Sequence, residues 1–276
     1  MLGLRDAPGP LGVAAFSGVG TCVDVFDWSE AYGDGELIGP DEVDAMAEAG
    51  VETLYVQGTR ATGPDVLEQD RLEDLLDRAD DRGLATVLWY LPSLVDPAAD
   101  LRRLEALAGL DVDAIAVDIE ARDVDDPAER GRRIVALSED LRQALPDTAI
   151  AAVPVAPVLL EVVNEDWWPG FPWRALAGSY DAWLPMAYST DRRADSGYRD
   201  AERYTVENVE RLRTNLGDPN AVVHPVGGVA DGLVEDDVRA LVRGARATGA
   251  TGVSLYDWRT TGPGLLEPLA ALRREG

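Results

Sequence analysis

The stretch VDAIAVDIEARD (112–123) is a short apolar run that ends in two carboxylates, Asp118 and Glu120, one residue apart. Side chains alternate across a strand, so Ala114, Ala116, Asp118 and Glu120 share one face and Ile115, Val117 and Ile119 the other. The bulky aliphatic face suits packing under helices, while the alanine face suits a confined interior that opens onto the two acids. Two strand steps put the Cα atoms of the acids about 6.6 Å apart. Like charges that close resist double ionisation, so one carboxyl is expected to titrate near neutrality, as a general acid requires. The competing reading is an acidic strand end neutralised by Arg122.

Seven further apolar runs flank this one, at 21–28, 51–58, 84–92, 148–157, 180–189, 221–228 and 251–258. Most are continuous rather than alternating, as in parallel strands covered on both faces. Helical spacing fills the intervals, as in Ile134, Leu137, Leu141 and Leu145, or Val206, Val209, Leu212 and Leu216. Gly50, Gly83, Gly109 and Gly249 are placed to end helices before the next strand. Eight such units predict an α/β fold, a single (β/α)8 TIM barrel over 1–276 with an irregular leader over 1–20. An open doubly wound sheet is the alternative, but GVGTCV (18–23) runs into a strand, and no glycine fingerprint opens a helix after it.

The composition removes whole classes of chemistry. All 25 basic residues are Arg, against 51 acids and a net charge of −26, so nucleic acid and anionic membranes are not expected partners. Without Lys there is no Schiff base and no P-loop. One His (His224) and one Cys (Cys22) leave no familiar metal motif, no disulfide and no G-x-S-x-G triad, so no metal or cofactor is expected. His224 reads as a hydrogen-bonded core residue. The N-terminus lacks a compact apolar core, so it is a poor signal peptide. A carbohydrate substrate would favour export, but compartment and oligomeric state stay open.

Barrel enzymes place chemistry at the C-terminal strand ends. Those ends carry Asp27 and Trp28, Gln57, Trp89 and Tyr90, Asp118 and Glu120, Tyr188, Tyr256, Asp257 and Trp258. Carboxylates among aromatics suit sugars, and Trp167, Trp168 and Trp173 either extend such a floor or pack a long loop.

DAIAVDIE (113–120) resembles the D-G-x-D-x-D-x-E signature of chitinase-like, family 18 glycoside hydrolases, matched at Asp113, Asp118 and Glu120. LPMAYS (184–189) resembles the family's M-x-Y-D, matched at Met186 and Tyr188, and GVSLYDW (252–258) its G-x-M-x-W, with Tyr256 at the Trp place. The resemblance implies that Glu120 is the general acid, Asp118 its helper and Tyr188 a contact to an acetamido group. Ala114, Ala116 and Ser189 depart from the pattern, and Ala116 removes its middle acid. VDVFDW (23–28) together with VDIE (117–120) resembles, more weakly, the acids of family 25 lysozymes.

Two acids on one strand approach a bond from one side, so hydrolysis also needs a substrate nucleophile or a third carboxylate across the barrel. Asp27, Asp191 and Asp257 are the candidates. Asp24 and Asp27 have opposite parity, and Asp27 ranks first because it lies nearer the strand end. Parity turns Asp257 toward a helix and Tyr256 inward. The expected function is hydrolysis of a polysaccharide or glycan. One alternative is an inactive glycan-binding barrel. The other is a phosphate-binding isomerase or lyase using the glycine-rich 227–232 loop.

Overall fold

The computed structural model describes residues 11–229 and 232–273. Strands β1 (Gly18–Val23), β2 (Thr53–Gln57), β3 (Ala85–Tyr90), β4 (Ala114–Ile119) and β5 (Ala149–Pro154) run uninterrupted, as does β8 (Gly252–Tyr256). Strand β6 comes in two pieces, Ala182–Trp183 and Met186–Ala187, and β7 likewise as Val222–Val223 and Val226–Gly228. Both breaks fall at a proline, Pro185 and Pro225, which has no N–H to give the ladder. Neighbouring backbone groups carry the sheet across: Leu184 N–H donates to Ala152 O (2.7 Å) and Val226 N–H to Pro185 O (3.0 Å).

All pairings are parallel. β8 pairs with β1 and with the second piece of β7, while β6 pairs with β5 and with β7, so the ring closes. The crossovers carry α1 (Pro40–Glu48), α2 (Gln69–Asp81), α3 (Pro97–Ala108), α4 (Pro127–Ala144) and the one-turn α5 (Trp173–Leu176). After β6, β7 and β8 come α6 (Ala201–Leu216), α7 (Glu235–Thr248) and the short α8 (Pro263–Leu266). The expected helix faces are the buried ones: Ile134, Leu137, Leu141, Val209, Leu212 and Leu216 join the core, whereas Leu145 and Val206 are half-buried. Gly50, Gly83 and Gly249 take the left-handed conformation after their helices, with φ of 86°, 72° and 64°. Gly109 ends its helix in ordinary helical geometry, at φ −79°.

The core has two parts. Outward strand residues such as Ile115, Val117, Leu54 and Leu88 pack under the helices. Inside the ring, β4, β5 and β6 contribute Ala114, Ala116, Ala149, Ala151 and Ala182, and the space they leave is filled by Tyr55 and Trp89 from β2 and β3. Gly20 on β1 makes this possible, since a Cβ there would lie 2.2 Å from Ser254 Oγ and 2.6 Å from the Tyr55 ring.

The expected leader over 1–20 needs revision where it can be seen, because residues 1–10 lie outside the described residues. A 3-10 turn, Gly12–Phe16, plugs the bottom of the barrel and β1 already begins at Gly18. Ala15 O accepts from Thr53 Oγ1 (2.9 Å), and Phe16 O from His224 Nδ1 (2.9 Å) and Thr251 Oγ1 (3.1 Å). Since a carbonyl only accepts, His224 Nδ1 carries a proton, and its Nε2 pairs with Ser254 Oγ (2.6 Å). His224 is thus a fully buried, hydrogen-bonded core residue.

Candidate active site

The alternation read from β4 holds. Ala114 and Ala116 face the interior, and Asp118 continues that face at the mouth of the barrel, with Glu120 one residue beyond the strand. Asp118 is 7% exposed, and its Oδ1 is buried without a hydrogen-bond partner. Burial, then the charges of Glu120 and Asp24, push its carboxyl well above the usual carboxylate range. Glu120 is half-buried, and burial raises its carboxyl as well. The pair therefore holds a proton to higher pH than either acid would in water. Asp118 is the more deeply buried of the two. A ligand closing the mouth would desolvate Glu120 in turn and favour the proton there.

Beneath Asp118 lies a cavity of about 40 Å³, walled by Ala116, Trp89, Tyr188, Tyr256 and Cys22 among others. Trp89 Nε1, like Asp118 Oδ1, is buried without a hydrogen-bond partner, and both residues line this cavity. An unpaired buried polar group costs roughly 1–3 kcal/mol, and groups left so are commonest at functional sites. Tyr188 and Tyr256 lie on the other side, ring centroids 6.1 Å apart. Burial first, and then nearby charges, raise both phenols far above their ordinary value, so they act as neutral hydrogen-bonding groups. Burial likewise raises the Cys22 thiol, which makes it a poor nucleophile.

The third carboxylate at the mouth is Asp24 rather than Asp27. Strand β1 stops at Val23, and the inward series Gly20, Cys22 continues to Asp24, which caps the single helical turn Val25–Trp28. Asp24 Oδ2 accepts from Tyr256 Oη (2.6 Å) and Oδ1 from Phe26 N–H (3.0 Å). It follows directly on β1, three strands from β4 around the ring, and its charge acts on Asp118. Asp27 instead closes a reciprocal cap on Asp24 N–H and forms a 2.7 Å ion pair with Arg259. Burial and then Asp257 raise its carboxyl despite that arginine. The D-x-x-D spacing of Asp24 and Asp27, a capping-box pattern, is the sequence signal for this arrangement. Asp191 is exposed, and Asp257 accepts from the Thr260 N–H (2.9 Å) and hydroxyl (2.8 Å) within its own turn.

Three expected cleft residues lie elsewhere. Trp28 is fully buried in the outer core, its Nε1 donating to Gln57 O (3.1 Å). Tyr90 follows the inward Trp89 and so faces outward, where its hydroxyl donates to Asp100 (2.5 Å). Trp258 is half-buried against the outer core rather than the cavity. Gln57 remains near the mouth and accepts from Val25 N–H (3.3 Å). Trp168 and Trp173 pack with Phe171 and Trp183 in the outer core, while Trp167 carries the Arg122 guanidinium 4.8 Å from its ring centre. Arg122 is thus exposed and engaged away from the acid pair, with no ion pair among the described residues. Of the glycine-rich 227–232 loop, Gly227 and Gly228 belong to β7, and Ala230 and Asp231 lie outside the described residues. Among the described residues, no cluster of His, Cys, Asp and Glu is built to hold a metal ion, and no helix is long and apolar enough to cross a membrane.

No protein-family model matches the sequence, and no curated protein does. Solved structures match the fold. A family 18 chitinase from Cycas revoluta, in complex with allosamidin, superposes with a TM-score of 0.67 at 11% identity over 92% of this chain and 99% of its own. The spore cortex-lytic enzyme SleL of Bacillus cereus gives 0.68 at 10% identity, over 94% of this chain and 75% of its own. A class V chitinase from Pseudomonas fluorescens Pf-5 gives 0.65 at 10% identity, over 93% and 100%. The fold is that of the chitinase-like, family 18 glycoside hydrolase barrels.

Proposed function

We propose that this chitinase-like barrel is a glycoside hydrolase that cleaves a glycan with Glu120 as general acid and base. Glu120 donates its proton to the glycosidic oxygen as the bond to the leaving sugar breaks. The resulting carboxylate then takes a proton from the water that completes hydrolysis. Asp118 holds the shared proton in the resting state, and its buried charge keeps Glu120 protonated once a sugar covers the mouth. Asp24, fixed by the Tyr256 hydroxyl, stands after β1, three strands around the mouth from the acid pair, and its charge reaches Asp118. There it faces the positive charge that develops on the cleaved sugar. With Ala116 where the resembled signature has its middle acid, proton storage falls to Asp118 alone. Tyr188, Tyr256, Trp89 and Gln57 shape the sugar site, and the buried Trp89 Nε1 and Asp118 Oδ1 beneath it have no hydrogen-bond partner.

The observation that carries this reading is the neighbouring buried pair Asp118–Glu120. Both carboxyls are raised by burial, at the C-terminal mouth of a barrel with aromatic walls. The test is turnover on a panel of glycans by wild type and by Glu120→Gln, which keeps the shape and removes the proton. The reading expects a loss of about 10²–10⁴-fold. Equal rates for the two proteins would overturn it, and saccharide binding with no turnover by wild type would make the barrel a binder.

A further inference from the structure

Among the described residues, the floor of the barrel mouth carries acids and no base. The cavity of about 40 Å³ beneath Asp118 is walled by Cys22, Tyr55, Trp89, Tyr188 and Tyr256 among its polar groups, and no arginine lines it. Arginines of the loops above are held elsewhere. Arg259 pairs with Asp27 (2.7 Å), Arg192 reaches Asp191 (3.9 Å) and Arg122 lies against the Trp167 ring. Arg60 stands 4.9 Å from the Phe26 ring centre and 5.0 Å from that of Tyr32.

The strongest charges acting on Cys22, Asp118, Tyr188 and Tyr256 are those of Asp24, Glu120, Asp191 and Asp257 and of one another, all negative when ionised. Asp24 has both oxygens engaged, by Tyr256 Oη (2.6 Å) and by Phe26 N–H (3.0 Å). Asp118 does not: it is 7% exposed, it lines the cavity, and its Oδ1 has no hydrogen-bond partner. A buried carboxylate in that state must take up a proton or meet a cation, because an unpaired buried charge is costly. The titratable groups facing it are Cys22 and Asp24 at β1, Tyr55 on β2, Glu120 past β4, Tyr188 after β6 and Tyr256 on β8. None of them supplies positive charge.

Building on the hydrolase reading, we infer that the mouth takes a cationic amino sugar, whose free ammonium group enters this cavity and pairs with Asp118. An ammonium has three N–H donors and no acceptor, which matches a carboxylate oxygen that no donor reaches. It has one heavy atom, as water does, and a cavity needs only about 10–15 Å³ to hold a group of that size. The aromatic walls attract a cation that lies over a ring face. Trp89 Nε1, a donor that an ammonium cannot satisfy, is left for a ring hydroxyl oxygen. An N-acetylated sugar brings a neutral amide instead, and Asp118 would then stay protonated or bury its charge unpaired. When the ammonium enters, the proton held by Asp118 leaves to solvent, or to Glu120 where that is ionised. The net charge of −26 draws cationic glycans toward the protein before they dock.

The test uses the full chain carrying Glu120→Gln, so that bound saccharides stay intact, and the same chain carrying Asp118→Asn as well. Calorimetric titrations at pH 6 compare glucosamine oligomers with N-acetylglucosamine oligomers of equal length. The amine series should bind about tenfold or more tightly than the acetylated series. That preference should shrink when salt is raised to about 0.5 M, and vanish with Asp118→Asn in a protein that still melts cooperatively. Equal or tighter binding of the acetylated series, an amine preference that survives Asp118→Asn, or no binding of either series would overturn the inference. Wild-type turnover, read separately, keeps the two conclusions apart. An amine preference abolished by Asp118→Asn, with neither series cleaved by wild type, would uphold the ammonium site and sink the hydrolase. Cleavage of the acetylated series with no preference for amines would do the reverse.

Discussion

Replacing Asp118 with Asn should make the protein more stable at neutral pH, although Asp118 is central to its proposed chemistry. The carboxyl is buried, one of its oxygens lacks a partner, and its pKa is raised by burial, Glu120 and Asp24. In the unfolded chain it would titrate near the ordinary value of about 3.9. Between that value and its raised folded value the native state binds the extra proton, so stability falls as pH rises through the window. At pH 7 the native state carries that cost, worth about 1.4 kcal/mol per unit of upward shift. For a chain of this size each kcal/mol moves the melting temperature by about 2–4 °C. Asp118→Asn should therefore melt at least about 2 °C above wild type at pH 7. The gap should narrow as pH falls toward 5, still above the pI of about 4.2. Calorimetric melts at three pH values read both quantities. A variant less stable at pH 7, or a gap independent of pH, would refute the assignment of a strained, proton-holding acid at this position.

Asp24→Asn should lower turnover by about 10²–10³-fold without loss of fold, measured on the substrate that wild type cleaves best. Asp27→Asn should leave turnover within about threefold of wild type, since its carboxylate serves Arg259 and a cap rather than the mouth. Arg259→Met should destabilise by about 1–3 kcal/mol in denaturant melts by stranding the buried Asp27. That loss should shrink as acid protonates Asp27, whose folded carboxyl is already raised. Trp28→Ala should cost about 3–5 kcal/mol of stability, because the ring is wholly in the outer core. Trp89→Phe should lower the melt by leaving part of the barrel interior unfilled, and weaken saccharide affinity by about three- to tenfold through the lost indole donor.

The barrel was legible because each of its strands is a short apolar run and each interval carries a helical stripe. The β4 alternation was legible for the same reason: with Ile115 and Val117 placed against helices, Ala116 and Asp118 must face inward. Applied to β3, that rule separates Trp89 from Tyr90, since neighbours on a strand cannot share a face. Asp24 was harder to see. Nearness to a strand end favours Asp27, but the chain leaves β1 at Val23 and coils once, and the turn moves Asp27 to Arg259. Arg259 lies 232 residues away, and no local pattern announces that pairing. The split strands follow from Pro185 and Pro225, which the apolar runs conceal.

The central claim is that Glu120 moves the proton. Its most direct measurement is single-turnover hydrolysis of one defined oligosaccharide by wild type and Glu120→Gln, with binding of the same ligand measured by calorimetry. The account predicts cleavage slowed by about 10²–10⁴-fold with affinity retained within about threefold. A Glu120→Gln protein that cleaves as fast as wild type, or loses affinity and rate in equal measure, would contradict it.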